Sequence, residues 1–130
     1  MTLTTQTMQE FFTETEWDVF ADYVAGQDAR NTIQLNVTNW TLQLCDALER
    51  NSPPRYKFQI ESGRKYHKIV MFDSGNARSV HAFVDKKTGE VYKPASWKGP
   101  AKGVRYDLRL IYQRQVLLAN CDWSGSYLYK

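Results

Sequence analysis

The sequence predicts one α+β domain over residues 1–130, in which N-terminal helices pack on a four-stranded antiparallel meander and a C-terminal helix follows. Two observations predict this class. Apolar residues recur at helical spacing up to residue 52, and from Arg55 they recur at every second position, with a short turn after each run. A chain of 130 residues is also long enough to bury a core without disulfide bonds.

Two helices are predicted in the N-terminal part, residues 1–52. Thr13, with Glu16 three positions later, forms a capping box, and Gly26 is a typical stop signal, so the first helix is expected over about residues 14–25. The stripe of this helix is Trp17, Phe20, Ala21 and Val24, and the shorter turn before it buries Met8, Phe11 and Phe12.

The second helix is expected over about residues 30–50. Its start is left open, because Asp28, Asn31 and Thr32 are all residue types that cap helices. The prolines of "NSPPR" end it. Its apolar stripe, which needs a partner surface, is Ile33, Val37, Trp40, Leu44 and Leu48.

Four strands are predicted from residue 55 onward, in the segments "RYKFQIES", "KYHKIVMFD", "RSVHAFVD" and "EVYK". The first alternates apolar with polar residues, which is typical of a strand with one face in water. In the turn "DKKTG", Asp85 begins the turn and Gly89 supplies a positive φ. Short turns between successive strands favour a meander, and the helices of residues 1–52 can cover one of its faces.

The last helix is predicted within "DLRLIYQRQVLLANCD", residues 107–122, because Pro94 ends the fourth strand and the apolar spacing then becomes helical again. Its stripe is Leu108, Ile111, Tyr112, Val116 and Leu117. The tail that follows is expected either to add a short strand or to dock as an aromatic plug through Tyr127, Leu128 and Tyr129.

The two parts of the chain carry opposite charge. Residues 1–52 hold two arginines and eight acidic residues, a formal charge of −6, whereas residues 53–130 hold fifteen Lys and Arg and six acidic residues, a formal charge of +9. Either the acidic part docks on the basic part within the fold, or the basic part faces an anionic partner such as nucleic acid.

No signal peptide or membrane segment is predicted. The N-terminus "MTLTTQTMQEFF" has neither a basic nor an apolar region, and every apolar run is far shorter than the ~20 residues of a membrane span. Cys45 and Cys121 are too few for a disulfide framework and are expected to be buried thiols. We therefore expect a soluble protein of the reducing cytoplasm, with no membrane partner.

Catalytic signals are few. His67 and His81 lie on neighbouring predicted strands, where the register can bring them close, but strand histidines are more often ordinary surface or core residues. Asp73, Asp85 and Lys87 fit a loose nuclease arrangement, yet "DKKTG" is ordinary turn chemistry. The sequence has no motif for cradling phosphates, binding a dinucleotide or holding zinc. No catalytic residue, metal or cofactor is predicted.

The segment "VYKPASWKGPAKGVRY", residues 91–106, contains four cations and no acid. Lysine and arginine can contact phosphates, and tryptophan can stack on a base. The predicted nucleic-acid-binding residues are Lys93, Trp97, Lys98, Lys102 and Arg105, extended by Arg64, Lys65 and Lys68 if the fold puts them on one side. For Trp97, packing on the helices together with Tyr106 is the favoured interpretation. For the cations, binding and plain solvation both stay open.

A sequence signature covers residues 66–130. The segment "SVHAFVDKKTGEVYKPASWKGPAKGVRYDL", with "CDWSGSYLY" near the end, resembles a group of small proteins of tailed phages, including marine phages. These share the patterns T-G-x-V-Y-K, P-A-S-W-K, P-A-K-x-x-R and D-W-x-G-x-Y-L-Y, and no activity is established for the group. The resemblance implies a viral origin and an accessory role in the cytoplasm of the infected host.

Two hypotheses from different classes follow. The first is a phage accessory protein that binds nucleic acid through residues 53–130 without catalysis. The alternative is a protein-interaction or structural module with no nucleic-acid role, such as a homodimer in which the acidic helices of one copy meet the basic sheet of another.

Overall fold

A computed structural model of the chain describes the backbone of residues 14–129 and the side chains of residues 21–129. Residues up to Thr32 form one compact unit, and residues from Ile33 onward form a second. Some expectations lie outside the described residues, namely the N-cap at Thr13 and the burial of Met8, Phe11, Phe12, Trp17 and Phe20. Within the described part, no helix combines the length and the apolar character needed to cross a membrane.

Helix α1 spans Glu14–Arg50 without a break, so the prediction of two helices is wrong. No proline interrupts this range, and an isolated glycine such as Gly26 is tolerated inside a helix at a cost of about 1 kcal/mol. The candidate capping residues are also accommodated within the helix. The hydroxyl of Thr32, for example, donates to the carbonyl of Asp28 at 2.9 Å.

Five antiparallel strands form one sheet in chain order: β1 Tyr56–Ser62, β2 Tyr66–Asp73, β3 Asn76–Asp85, β4 Glu90–Tyr92 and β5 Tyr106–Asp107. The antiparallel meander is confirmed, but it has five strands and not four. β5 pairs with β4 through only two residues, Tyr106 opposite Val91 and Asp107 opposite Glu90. Two residues are too few to leave an alternating pattern in the sequence.

The core lies between one face of the sheet and the helices. In the predicted stripe of α1, Val37, Leu44 and Leu48 are fully buried and Trp40 packs against the core, whereas Ile33 is 42% exposed. Alternate strand positions supply the opposite side of the core, namely Tyr56, Phe58, Ile69, Met71, Ala82, Val84, Val91 and Tyr106. The α+β arrangement of helix on sheet is therefore confirmed for the unit that begins at Ile33.

Helix α2 spans Ile111–Asn120, so it begins later than predicted. Leu117 is buried in the helix and Leu108 is buried just before it, as predicted, but Ile111 and Tyr112 are exposed. The predicted stripe fails at these two residues because β5 and a turn precede the helix and shift its phase. In that turn a side-chain oxygen of Asp107 accepts a hydrogen bond from the backbone N–H of Arg109 at 2.9 Å.

The C-terminal tail docks as an aromatic plug. A 3-10 helix, Ser126–Leu128, places Tyr127 and Leu128 in the core. The hydroxyl of Tyr106 donates to the carbonyl of Tyr127 at 2.8 Å, which ties the plug to β5. Of the two outcomes expected for the tail, docking is the one observed, but only Tyr127 and Leu128 dock, whereas Tyr129 is 69% exposed.

Candidate nucleic-acid interface

The face of the sheet opposite the core carries an aromatic cluster near the start of β2. Tyr66 makes edge-to-face contacts with Phe83 and Tyr92, at ring-centroid distances of 5.8 and 6.0 Å. Lys68 is the cross-strand partner of Phe83 and shares this face. We call this surface the outer face. On this face β1 shows the alternation that the sequence predicts, because its outward-facing residues Lys57, Gln59 and Glu61 are polar and exposed.

Residues 93–101 form a short hairpin, which we call the tryptophan hairpin. Pro94 and Pro100 pair as an isolated antiparallel bridge, and a backbone hydrogen bond of 2.8 Å joins the two ends of the hairpin. The carbonyl of Gly99 accepts two further backbone hydrogen bonds, at 3.1 and 3.2 Å, which close the tip. The tip, held in this way, carries Trp97 and Lys98.

A cleft of about 290 Å³ lies between the β1–β2 turn and the tryptophan hairpin. Four cations and one acid give its lining a formal charge of +3. Phe83, which is only 2% exposed, lies at its base. We call it the cationic cleft, and its charged and aromatic lining residues are Glu61, Arg64, Lys65, Tyr66, Lys68, Phe83 and Lys98.

Trp97 stands beside the cationic cleft. The Nζ atom of Lys68, which lines the cleft, lies 5.9 Å from the centroid of the Trp97 ring, and Trp97 is 47% exposed. The favoured interpretation, that Trp97 packs on the helices, is therefore wrong, because the hairpin carries the residue to the outer face. The same interpretation is right for Tyr106, which is buried in the core.

The ion pairs of residues 21–129 lie away from the cationic cleft. Asp73 pairs with Arg55 and Arg78, and Asp107 pairs with Arg109. All of these residues belong to the basic part of the chain, and none lines the cleft. Docking of acidic residues on the basic part therefore does not account for the charge of the cleft within the described residues.

Four of the eight predicted binding residues do not line the cleft. One of them, Trp97, stands beside it. Lys93 lies beside a second cavity of about 170 Å³, with its Nζ atom 4.3 Å from the centroid of the Tyr129 ring. Lys102 is exposed beyond the hairpin. Arg105 is half-buried, and its backbone N–H donates to the carbonyl of Val91 at 2.7 Å. The structure thus brings together five of the eight predicted residues, Arg64, Lys65, Lys68, Trp97 and Lys98.

The two aromatic residues that line the cleft, Tyr66 and Phe83, were not predicted as site residues. The sequence marks both only as apolar positions of strands. The register of β2 with β3, which sets Lys68 opposite Phe83, shows that these rings face the cations. The sequence alone does not show this register, so it contains no signal that identifies the two rings as part of the site.

The nuclease arrangement is not assembled. Asp73 pairs with Asn76 at one end of β3, and Asp85 is the last residue of the same strand. Asp85 pairs with Tyr66, seven residues before Asp73 on β2, so at ~3.3 Å per residue roughly 23 Å separates the two backbone positions. Asp85 accepts backbone hydrogen bonds from Lys87 and Thr88 at 2.8 and 3.2 Å, which is the predicted turn chemistry.

The two histidines lie apart in the sheet. His67 pairs across with Val84, whereas His81 is the extra residue at a register shift of β3. The rings contact hydroxyl groups, with Nε2 of His81 2.8 Å from the hydroxyl oxygen of Tyr127 and Nδ1 of His67 2.8 Å from the hydroxyl oxygen of Ser62. In residues 14–129 no three His, Cys, Asp or Glu residues lie together as metal ligands.

Burial lowers the pKa of both histidines, that of His81 to about 4. Burial also raises the pKa of the Cys45 thiol to about 12 and that of the Cys121 thiol to about 11. Both cysteines are free and buried, as predicted. At neutral pH the imidazoles are therefore uncharged and the thiols protonated, so these cysteines lack the reactive thiolate form.

Searches of curated proteins and of solved structures found no match to the chain. A family of unknown function (DUF7717) matches residues 20–130. The matched range includes the whole sheet, α2, the tail and most of α1. The cationic cleft lies entirely within the matched residues. The chain therefore belongs to the DUF7717 family.

Proposed function

We propose that this protein binds nucleic acid through the cationic cleft, without catalysis. The observation that carries the proposal is the convergence of Arg64, Lys65, Lys68 and Lys98 on one concave surface. These cations come from three separate segments, namely the β1–β2 turn, β2 and the tryptophan hairpin. Like charges repel, so their convergence opposes folding unless an anion occupies the site.

The aromatic residues favour nucleic acid over a simple anion such as sulfate. Tyr66 lines the cleft and the half-exposed Trp97 stands beside it. Stacking of a base on an aromatic side chain contributes about 1–3 kcal/mol, and phosphate contacts to lysine and arginine add a salt-dependent contribution. Cations next to an accessible ring are therefore suited to a ligand that presents both phosphates and bases.

We also propose a viral setting for this activity, as an accessory protein in the cytoplasm of an infected host. The support is the resemblance of residues 66–130 to proteins of tailed phages, a range that includes Lys68, Trp97 and Lys98. The genes beside this one in its genome test the proposal. We expect phage genes there, and a neighbourhood of cellular genes would contradict it.

A salt titration tests nucleic-acid binding itself. The affinity for a labelled oligothymidine of about 15 nucleotides is measured by fluorescence anisotropy across a range of salt concentrations. If each of the four cleft cations contacts a phosphate of a single strand, the logarithm of the affinity falls against the logarithm of the salt concentration with a slope of about −3. No binding at low salt, or binding that is indifferent to salt, would contradict the proposal.

A second candidate function, a protein-interaction module, is favoured by a different observation. Leu110, Ile111 and Tyr112 are consecutive and are 50%, 63% and 77% exposed, and contiguous exposed apolar residues are typical of interfaces. Self-association through this row would persist at high salt, whereas pairing of acidic helices with a basic sheet would dissociate. Sedimentation velocity at low and high salt distinguishes the two modes, and a monomer under both conditions would contradict this candidate.

A further inference from the structure

We infer that the ligand of the cationic cleft is single-stranded, and that one unpaired base stacks on Trp97. This inference rests on the proposed function and specifies the form of nucleic acid that the cleft accepts. Three features of the structure carry it, namely the placement of the cations, the fixed position of Trp97 and the character of α2.

The cations stand on two opposite rims of the cleft. Arg64 and Lys65 belong to the β1–β2 turn, and Lys98 belongs to the tip of the tryptophan hairpin. The strands between these rims contribute Tyr66 and Phe83. A single backbone that crosses from one rim to the other would bring its bases over the partly exposed ring of Tyr66, which covers the buried Phe83. In a duplex the faces of the bases are stacked on one another inside the helix, so they are not accessible to such rings.

Trp97 is positioned in advance for stacking. The bridge between Pro94 and Pro100 and the hydrogen bonds to Gly99 hold the hairpin tip, while Trp97 is 47% exposed. The amine of Lys68 lies 5.9 Å from the ring centroid, where it can contact a phosphate next to a stacked base. A ring that is already held in place loses little conformational entropy when a base stacks on it.

Helix α2 does not have the surface of a helix that reads duplex DNA. It is the only α-helix in the described part of residues 53–130, and its single cation is Arg114. The guanidinium carbon of Arg114 lies 4.5 Å from the centroid of the Trp40 ring, so this cation packs on α1. The first turn of α2 exposes Ile111 and Tyr112, which are apolar or uncharged. Helices that bind in the major groove instead present polar and cationic side chains to base edges and phosphates.

The experiment compares a labelled oligothymidine of about 15 nucleotides with a mixed-sequence duplex of the same length, at one low salt concentration, by fluorescence anisotropy. We expect the single strand to bind at least about 10-fold more tightly. Trp97→Leu is expected to weaken single-strand binding by about 5- to 100-fold, whereas Trp97→Phe, which keeps an aromatic face, restores most of the affinity. Far-ultraviolet circular dichroism and thermal unfolding check the fold of each variant.

Tyr23→Leu is the matched control, because it removes an exposed ring that lies on α1 and does not line the cleft. We expect it to leave the affinity unchanged. Duplex binding as tight as single-strand binding would overturn the inference and leave the proposed function standing. Wild-type affinity in Trp97→Leu would overturn the stacking. No binding of either form would instead overturn the proposed function.

Discussion

Burial of His81 makes the stability of the protein sensitive to acid. Its pKa lies at about 4 in the folded protein, below the ordinary value of 6.5, chiefly because burial disfavours the charged ring. Between these two values the unfolded chain binds more protons than the folded one. The free energy of unfolding therefore decreases as the pH falls from about 6.5 to about 4, by up to roughly 3 kcal/mol.

We predict that His81→Gln removes most of this pH dependence, because glutamine does not titrate. The measurement is the free energy of unfolding in urea at about pH 7 and about pH 4.5, for the wild type and the variant. His67, whose pKa burial also lowers, adds a dependence of the same sign to both proteins. A pH dependence in the variant equal to that of the wild type would contradict this role of His81.

Gly89 is a residue for which the local sequence predicts the backbone conformation correctly. Its φ is +74°, and a Cβ atom at this position would lie 3.5 Å from side-chain atoms of Leu108 and Val37. The prediction succeeds because it depends only on the "DKKTG" turn, in which the backbone N–H of Gly89 donates to the carbonyl of Asp85 at 2.9 Å.

Gly89→Ala is therefore expected to lower the free energy of unfolding by about 1–2 kcal/mol, since an L-residue is disfavoured at this φ. Gly99→Ala is the control, because Gly99 has no positive φ and no atom lies within 4 Å of a Cβ placed there. Urea unfolding of both variants provides the comparison. Equal effects of the two substitutions would show that backbone conformation is not the cause.

At the scale of elements, sequence patterns predict what is local and miss what depends on distant partners. The strands β1 to β4 follow from alternation, and the burial of Val37, Leu44 and Leu48 in α1 follows from helical spacing. The two-residue strand β5 exists only because β4 lies beside it, so no local pattern indicates it. The start of α2 is predicted too early for the same reason, because β5 and a turn occupy the residues just before Ile111.

The break predicted at Gly26 provides a direct test of α1. In an unbroken helix, Gly26→Ala is expected to raise stability by about 0.5–1 kcal/mol, because alanine loses less conformational entropy than glycine. A Cβ atom there would make only ordinary contacts, the nearest being 3.7 Å from a guanidinium nitrogen of Arg30. If Gly26 instead ended a helix in the left-handed conformation, the same change would lower stability. Helical ellipticity and urea unfolding distinguish the two outcomes.

For the molecule as a whole, the sequence predicts that the candidate site is cationic, but it does not show where on the surface its cations meet. For the fifteen Lys and Arg of residues 53–130, the sequence leaves open an anionic partner or docking of the acidic part, and it does not show which of these cations converge. That choice depends on the tryptophan hairpin, which folds onto the outer face and brings Lys98 to the cleft that Arg64, Lys65 and Lys68 also line. The same hairpin carries Trp97 to the outer face, and for this reason its packing on the helices was wrongly predicted.

The most direct test of the cleft as a nucleic-acid site compares two double variants of equal net charge. Lys65→Glu with Lys98→Glu reverses a charge on each rim of the cleft, whereas Lys57→Glu with Lys102→Glu changes two exposed lysines that do not line it. With a single-stranded oligonucleotide at low salt, we predict that the first variant loses more than about 10-fold in affinity and the second only a few-fold. Equal losses in the two folded variants, or wild-type affinity in the first, would contradict the assignment of the cleft.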